Sequence, residues 1–241
     1  MRIRGSVAAI VACVLFGTAS GCASSTSLKS ATTVVFVGDS LAVEAAPYLP
    51  ALLQERTLVP KVFGGTAPCD WLGADLGIQA NSVVVFSFIG NALTPCMADG
   101  PGAFLAGQAI VEKYRTDLVV LIAQAQSAGA RVLLVGQPKR GDPVRPDELE
   151  TGLAALYNEL ATDDVAFVDA GAAVENPDGT FAHELPCLPG ELECDASGSN
   201  VVRSDDGVHF CPGITPMGEC PAWSSGAFRF ATAIADAIVN G

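Results

Sequence analysis

Short apolar runs alternate with helical patterns along most of this chain, and this alternation constrains the fold more than any other feature. We predict strands at residues 33–37, 59–63, 82–88, 131–136 and 165–168. We predict helices at residues 41–56, 104–128, 147–161 and 223–239. Strands that alternate with helices favour a parallel sheet covered on both faces, a three-layer α/β/α architecture. Residues 32–241 are therefore expected to form one α/β domain.

The first apolar run, residues 34–37, leads directly into Gly38, Asp39 and Ser40. Glycine permits a sharp exit from a buried strand, and Asp and Ser are favoured helix N-cap residues. We therefore place Ser40 at the carboxyl edge of the sheet, where ligands bind in open α/β folds. The alternative is an ordinary strand-to-helix turn with a capping residue.

The far end of the chain supplies the groups that a nucleophilic serine needs. Asp206 precedes His209 by three residues, so one short loop can carry both a base and the acid that orients it. Asp205 is the competing acid, although its spacing from His209 is four residues. His183 is the second of the two histidines and is interpreted as a loop residue.

Together these two ends resemble the SGNH/GDSL hydrolase family. Gly38-Asp39-Ser40-Leu41 matches the family's first block, and Asp206 with His209 matches its last. The resemblance spans residues 32–240 and implies a five-stranded sheet of flavodoxin-like order, 2-1-3-4-5. It also implies that Ser40 is the nucleophile, His209 the base, and Asp206 the residue that orients the base. Asp39 is interpreted as a structural residue that caps the turn.

The resemblance further implies an oxyanion hole formed by the Ser40 N–H, a glycine after the second strand and an asparagine after the third. Gly64 and Gly65 are both candidates for the glycine, and Gly65 is favoured. Asn91 is the candidate asparagine, although its neighbouring glycine is one place late and the family's following acid is absent.

Residues 171–221 interrupt the alternation of strands and helices, and this segment contains His209. A long irregular segment in a compact domain is usually functional or disordered, and here we expect disulfides to order it. Beyond position 22 the chain has six cysteines, which allow 15 pairings. We favour the pairs Cys69–Cys96, Cys187–Cys194 and Cys211–Cys220. Zinc is the alternative, but no Cys-x-x-Cys pair is present, so we expect no metal and no cofactor.

The amino terminus has the pattern of an export signal. Two arginines, an apolar stretch at residues 7–16 and small residues before Cys22 predict a signal peptide over residues 1–21. The small residues also resemble a lipoprotein processing site, so Cys22 is a candidate for lipidation, and an ordinary cleaved signal is the alternative. Residues 22–31 are interpreted as a Ser/Thr-rich tether, and the apolar stretch is too short for a spanning helix.

The formal net charge of −13 argues against nucleic acid or an anionic membrane surface as a partner. The expected protein is an exported monomeric serine esterase that removes O-acyl groups from carbohydrate or lipid esters of the cell envelope. Its only expected contact with a membrane is a lipid anchor at Cys22. An O-acyltransferase that acts on envelope glycans through the same residues and a non-catalytic binding module are the alternatives.

Overall fold

The computed structural model describes residues 28–141, 147–192, 194–211 and 220–241. The predicted signal peptide, the lipidation candidate Cys22 and most of the tether lie outside these residues. Across these ranges, no helix combines the length and apolar character needed to cross a bilayer.

Five parallel strands form the main sheet in the order β2-β1-β3-β4-β5. They are β1 (Thr33–Gly38), β2 (Thr57–Val62), β3 (Ser82–Ser87), β4 (Arg131–Val135) and β5 (Val165–Val168). All six residues of β3 and the last five of β1 are buried, as expected for strands covered on both faces. The predicted five strands and the predicted strand order are confirmed.

Helices cover both faces of this sheet. They are α1 (Ser40–Ala45), α2 (Leu49–Leu52), α3 (Gln108–Ser127), α4 (Asp147–Leu160) and α5 (Ser225–Asn240). One apolar cluster places α1, α2 and α5 against one face, and a second cluster places α3 and α4 against the other. The predicted three-layer α/β/α architecture is therefore confirmed.

Two predicted helices are shorter or less continuous than the pattern suggested. The first, over residues 41–56, is divided into α1, a 3₁₀ turn and α2, with Pro47 and Pro50 in the first turns of the later pieces. Proline lacks the N–H that an inner helical turn requires, so each proline starts a new segment. The helix predicted from residue 104 begins at Gln108, directly after Gly107 with its positive φ of 53°.

The irregular segment after β5 contains a small hairpin that the sequence did not predict. Strands β6 (Glu184–Pro186) and β7 (Ser199–Val201) pair in antiparallel fashion apart from the main sheet. Within the described ranges three disulfides are present, Cys69–Cys96, Cys187–Cys194 and Cys211–Cys220, and they confirm the favoured pairing. The first joins the loops that follow β2 and β3, and the other two cross-link the irregular segment.

Candidate active site

Ser40 is the first residue of α1, at the carboxyl end of the buried strand β1. Asp39 is its N-cap, and the carboxylate Oδ1 accepts a hydrogen bond from the Leu41 N–H at 3.2 Å. Gly38 has no room for a side chain, because a Cβ there would collide with the Ser87 carbonyl oxygen and with Ala42. This close approach of β1 to β3 fixes the turn that presents Ser40.

A hydrogen-bonded relay joins Ser40 to the other end of the chain. The Ser40 Oγ lies 2.9 Å from His209 Nε2, and His209 Nδ1 lies 2.6 Å from Asp206 Oδ2. The other carboxylate oxygen of Asp206 accepts hydrogen bonds from the Ser204 hydroxyl and from the N–H groups of Val208 and His209. Partial burial raises the pKa of Asp206, but these hydrogen bonds outweigh it and hold the pKa well below its usual range. Asp206 is therefore ionised at neutral pH.

Glu44 links the His209 loop to α1. It lies one helical turn after Ser40, is buried, and accepts a hydrogen bond from the Phe210 N–H at 2.6 Å. Burial raises the pKa of Glu44 to about 7. On the other side, the Ser224 hydroxyl donates to the Phe210 carbonyl at 2.8 Å. The backbone next to His209 is thus held by both α1 and the N-cap of α5.

Arg203 lies under the same loop and is fully buried. Its guanidinium is placed between the rings of Phe181 and Phe210, 5.8 and 5.2 Å from their centroids. Nη2 donates to the Gly207 carbonyl at 3.3 Å, whereas Nε and Nη1 have no partner among the described residues. Burial and the nearby Arg140 lower the pKa of Arg203 to about 10. The cation is therefore present at neutral pH and contacts the loop that carries Asp206 and His209.

A second network connects the loops that follow β1, β2 and β3. Asp39 Oδ2 accepts from the Ile89 N–H at 2.6 Å and from Asn91 Nδ2 at 3.0 Å. Asn91 Nδ2 also donates to the Thr66 carbonyl at 3.2 Å. Burial raises the pKa of Asp39 to about 7. Asn91 thus reaches the neighbourhood of Ser40, with both amide hydrogens directed to protein acceptors.

The turn after β2 carries the two glycine candidates. Gly64 is buried, and Gly65 is exposed with a φ of +78° that favours glycine. No described residue accepts a hydrogen bond from the N–H groups of Ser40, Gly64 or Gly65. These N–H groups are therefore available as donors to a substrate oxygen, although Asn91 is already engaged.

The remaining candidates are placed away from the relay. Asp205 is 95% exposed and lies 3.4 Å from His183 Nε2, so the two form a separate pair at the surface. The sequence prediction of Asp206 over Asp205 agrees with this geometry. The sequence analysis did not identify Glu44 or Arg203 as residues of the site. The sequence signal for Glu44 was a single acidic residue within the apolar pattern after Ser40, whereas no sequence signal indicated Arg203.

Two groups of potential metal ligands occur in the described ranges, each made of one acid and two cysteines: Glu44 with Cys211 and Cys220, and Asp70 with Cys69 and Cys96. In both groups the cysteines are joined as disulfides, so their sulfur atoms are not thiolate ligands. Each group is then left with a single carboxylate, fewer than the three or four protein ligands of a typical zinc site.

Comparison with known proteins gives a family and a fold. A family model described as "Protein of unknown function (DUF459)" matches residues 82–213, more than half of the chain. The structure is similar to a GDSL-like lipase from Bacteroides thetaiotaomicron, with a TM-score of 0.54, 14% identity, and coverage of 87% of this chain and 88% of that chain. A protein from Slackia heliotrinireducens, proposed to be an SGNH hydrolase, has a TM-score of 0.53 and 18% identity over 88% of this chain and 100% of that one. A proposed acylhydrolase from Bacteroides fragilis has a TM-score of 0.52 and 18% identity, with 87% of each chain covered. No curated protein matches the sequence significantly.

Proposed function

The chain belongs to the DUF459 family and has the SGNH/GDSL hydrolase fold, and from this premise we propose that it is a serine esterase. The observation that carries the proposal is the relay itself, with Ser40 Oγ 2.9 Å from His209 Nε2 and His209 Nδ1 2.6 Å from Asp206. A nucleophile, a base and an orienting acid at hydrogen-bonding distances are the arrangement that acyl transfer requires. A binding module would have no need of this alignment.

In the proposed reaction, the Ser40 hydroxyl gives its proton to His209 Nε2 as Oγ attacks the ester carbonyl. Ionised Asp206 stabilises the imidazolium that forms and keeps Nε2 directed at Ser40. The N–H groups of Ser40 and Gly65 donate to the oxyanion. Asn91 joins them when its amide exchanges the Thr66 carbonyl for the substrate oxygen. His209 then protonates the departing alcohol, and water releases the acid from Ser40 by the reverse sequence of proton transfers.

We place the substrate among O-acyl esters of carbohydrate or lipid outside the cytoplasm. Three disulfides support an exported protein, because such bonds persist in oxidising compartments. The signal peptide and the lipid anchor at Cys22, both predicted from the sequence, are consistent with an envelope location. In the loops that follow β2 and β3, the two neighbours of β1 in the sheet, Phe63 and Leu93 are 60% and 77% exposed. Exposed apolar side chains beside a candidate site are suited to an acyl chain.

The test is ester turnover by the chain without residues 1–21, with para-nitrophenyl acetate and butyrate as substrates. Wild-type protein is expected to release para-nitrophenol, and Ser40→Ala is expected to lower kcat by at least about 10⁴. A glycan acceptor in the same assay measures transfer against hydrolysis, since both reactions start from the same acyl-enzyme.

The control is Ser127→Ala, which makes the same change at the exposed last residue of α3 and leaves Ser40 and its partners intact. It is expected to retain most of the turnover, while circular dichroism shows both variants folded. Full activity in a folded Ser40→Ala protein would contradict the proposal.

A further inference from the structure

A cavity with a volume of about 220 Å³ lies where the β6–β7 hairpin meets the start of α5. Its walls include Asp195, Ser199, Asn200, Val201, Trp223 and Ser225. Among the described residues that line it, none belongs to the relay. The cavity is therefore a separate site, and the reaction proposed above makes no use of its polar lining.

Trp223 gives this cavity an aromatic wall. The residue is half-buried, and its ring packs against Phe228 with the two centroids 5.8 Å apart. Phe228 in turn packs against Tyr48, at 6.1 Å. The indole N–H of Trp223 donates to no acceptor in the described ranges. A supported ring with a free N–H is suited to a ligand that has both an apolar face and hydroxyl groups.

Asn200 supplies an acceptor from a buried position. Its side chain belongs to a residue that is only 7% exposed, and Nδ2 donates to Glu191 Oε2 at 3.0 Å and to the Leu192 carbonyl at 3.4 Å. Both partners are acceptors, so the nitrogen must face them and Oδ1 is left as the free end of the amide. No described residue donates to this oxygen. A buried amide held in place with one free acceptor at a cavity is the arrangement that orients a polar ligand.

The first turn of α5 adds a donor, and Asp195 adds a carboxylate. The Ser225 N–H donates to no group of the described chain, as is usual in the first turn of a helix. Hydrogen bonds from the Ser197 hydroxyl and from the N–H groups of Ser199 and Ser197 lower the pKa of Asp195 to about 2. The carboxylate is therefore ionised at neutral pH, so it repels an anionic ligand and accepts hydrogen bonds from a neutral hydroxyl.

Ser224 connects this cavity to the relay. It also lines the cavity, and its hydroxyl donates to the Phe210 carbonyl at 2.8 Å. Phe210 follows His209 in the chain, and His209 Nε2 lies 2.9 Å from Ser40 Oγ. Because only Phe210 and His209 separate the cavity wall from Ser40 along this path of contacts, a chain of a few sugar units can reach both places.

We infer that this cavity binds one neutral sugar unit of a glycan whose ester, on another unit, reacts at Ser40. A sugar ring has an apolar face of C–H groups that packs on Trp223, and hydroxyl groups that donate to Asn200 and accept from Ser225. An alkyl chain would leave these polar groups without partners. The inference rests on the proposed esterase function and selects carbohydrate over lipid as the class of ester.

Calorimetry with unesterified neutral tetrasaccharides tests the binding step on the chain without residues 1–21. At least one of cellotetraose, xylotetraose and chitotetraose is expected to bind. Val201→Trp fills the cavity from a position on β7 that is 40% exposed, and Trp223→Ala removes the aromatic wall. Each is expected to weaken binding about tenfold or more.

The matched control is Phe104→Ala, which removes an exposed aromatic ring from the segment between β3 and α3 and is expected to leave the affinity unchanged. Circular dichroism shows whether all three variants are folded. Failure of all three saccharides to bind, or equal affinity in wild-type and Val201→Trp protein, overturns the inference.

Two further measurements identify the place and the charge of the ligand. The chain has two tryptophans, so Trp71→Phe leaves Trp223 as the sole tryptophan, and its emission is expected to shift to shorter wavelength with the bound saccharide. Unchanged emission beside measured binding puts the sugar elsewhere and overturns the inference. Tetragalacturonate is expected to bind more weakly than the neutral saccharide because of Asp195, and a preference for this acid contradicts a neutral ligand.

Kinetics separate this inference from the proposed function. With the O-acetylated form of the bound tetrasaccharide, Val201→Trp is expected to lower kcat/KM about tenfold. With para-nitrophenyl acetate, which is too small to span both places, the same variant is expected to match wild type. Equal kcat/KM losses for the two esters, or none for either, overturn the inference while leaving the esterase proposal intact. Saccharide binding without turnover of any ester contradicts the proposed function instead.

Discussion

The candidate site has two halves that are built in different ways. Ser40 and Asn91 follow strands of the main sheet, whose parallel register brings the ends of β1 and β3 side by side. Asp206 and His209 lie on a loop outside the sheet, held by individual contacts from Glu44, Ser224 and Gly141. The sheet half is positioned by repeating backbone geometry, whereas the loop half depends on a few side chains and cross-links.

This difference shows that the loop half, which lacks regular secondary structure, needs close packing and cross-links to hold His209 in position. Gly226 at the start of α5 has no room for a Cβ, because the Val202 carbonyl occupies that space and the Phe210 ring lies close by. The disulfide Cys211–Cys220 begins two residues after His209. A loop that must hold a base within hydrogen-bonding distance of Ser40 is thus packed against α5 and cross-linked. We expect the two halves to respond differently to substitution.

The largest effect is expected in the loop half, at the relay. His209→Ala removes the base and should lower kcat by about 10⁴. Asp206→Asn should cost about 10³–10⁴, because no other described group bonds His209 Nδ1 and the amide favours the wrong tautomer. Rates measured with para-nitrophenyl acetate check both variants. An Asp206→Asn protein with wild-type activity would show that the loop half does not depend on this contact.

In the sheet half, Asn91→Ala should lower kcat by about 10²–10³, the usual effect of losing one oxyanion donor. The KM should change little, because the interaction strengthens only as charge develops on the substrate oxygen. A loss confined to stability would instead show that Asn91 only ties Asp39 to the Thr66 carbonyl. Thermal unfolding measured beside the kinetics separates these two roles.

Glu44 tests how the loop half is attached to the sheet half. Glu44→Ala removes the acceptor of the Phe210 N–H and should lower kcat about tenfold with little change in KM, since His209 shifts relative to Ser40. Glu44→Gln keeps an acceptor oxygen and should recover most of that loss. If both variants lose activity equally, Glu44 does not act through this hydrogen bond.

Glu44 also predicts a pH dependence of stability. Burial raises its folded pKa from 4.5 to about 7, so between these values the folded chain binds a proton that the unfolded chain does not. Stability therefore falls as the pH rises through this window. Glu44→Gln removes this contribution and should be more stable than wild type above pH 7 by about 1–3 kcal/mol, measured by denaturant unfolding at pH 5 and pH 8.

The two halves also differ in how much of them the sequence could predict. The buried run before Gly38 and the Gly-Asp-Ser turn are local signals, so the placement of Ser40 at the sheet edge follows from the chain pattern. The spacing of Asp206 and His209 is local as well. The hairpin of β6 and β7, the burial of Arg203 and the contact between Glu44 and Phe210 join residues that are distant in sequence. No periodicity encodes such contacts, so they emerged only from the packed structure.

The smallest effect on activity is expected at the second Asp–His pair, His183 and Asp205. This pair lies on the same irregular segment as Asp206 and His209 but does not contact Ser40, so it serves as a reference for the loop half. His183 and Asp205 are 43% and 95% exposed at their side chains, and their closest atoms are 3.4 Å apart. Exposed pairs of this kind contribute about 0–1 kcal/mol, since solvent screens the charges. Asp205→Asn and His183→Ala should therefore each change kcat/KM less than about twofold. The His183 carbonyl, which accepts from the N–H groups of Val202 and Arg203, is retained in His183→Ala. A large loss of activity in Asp205→Asn, next to an intact Asp206, would show that the loop half depends on its surface charges as well as its buried contacts.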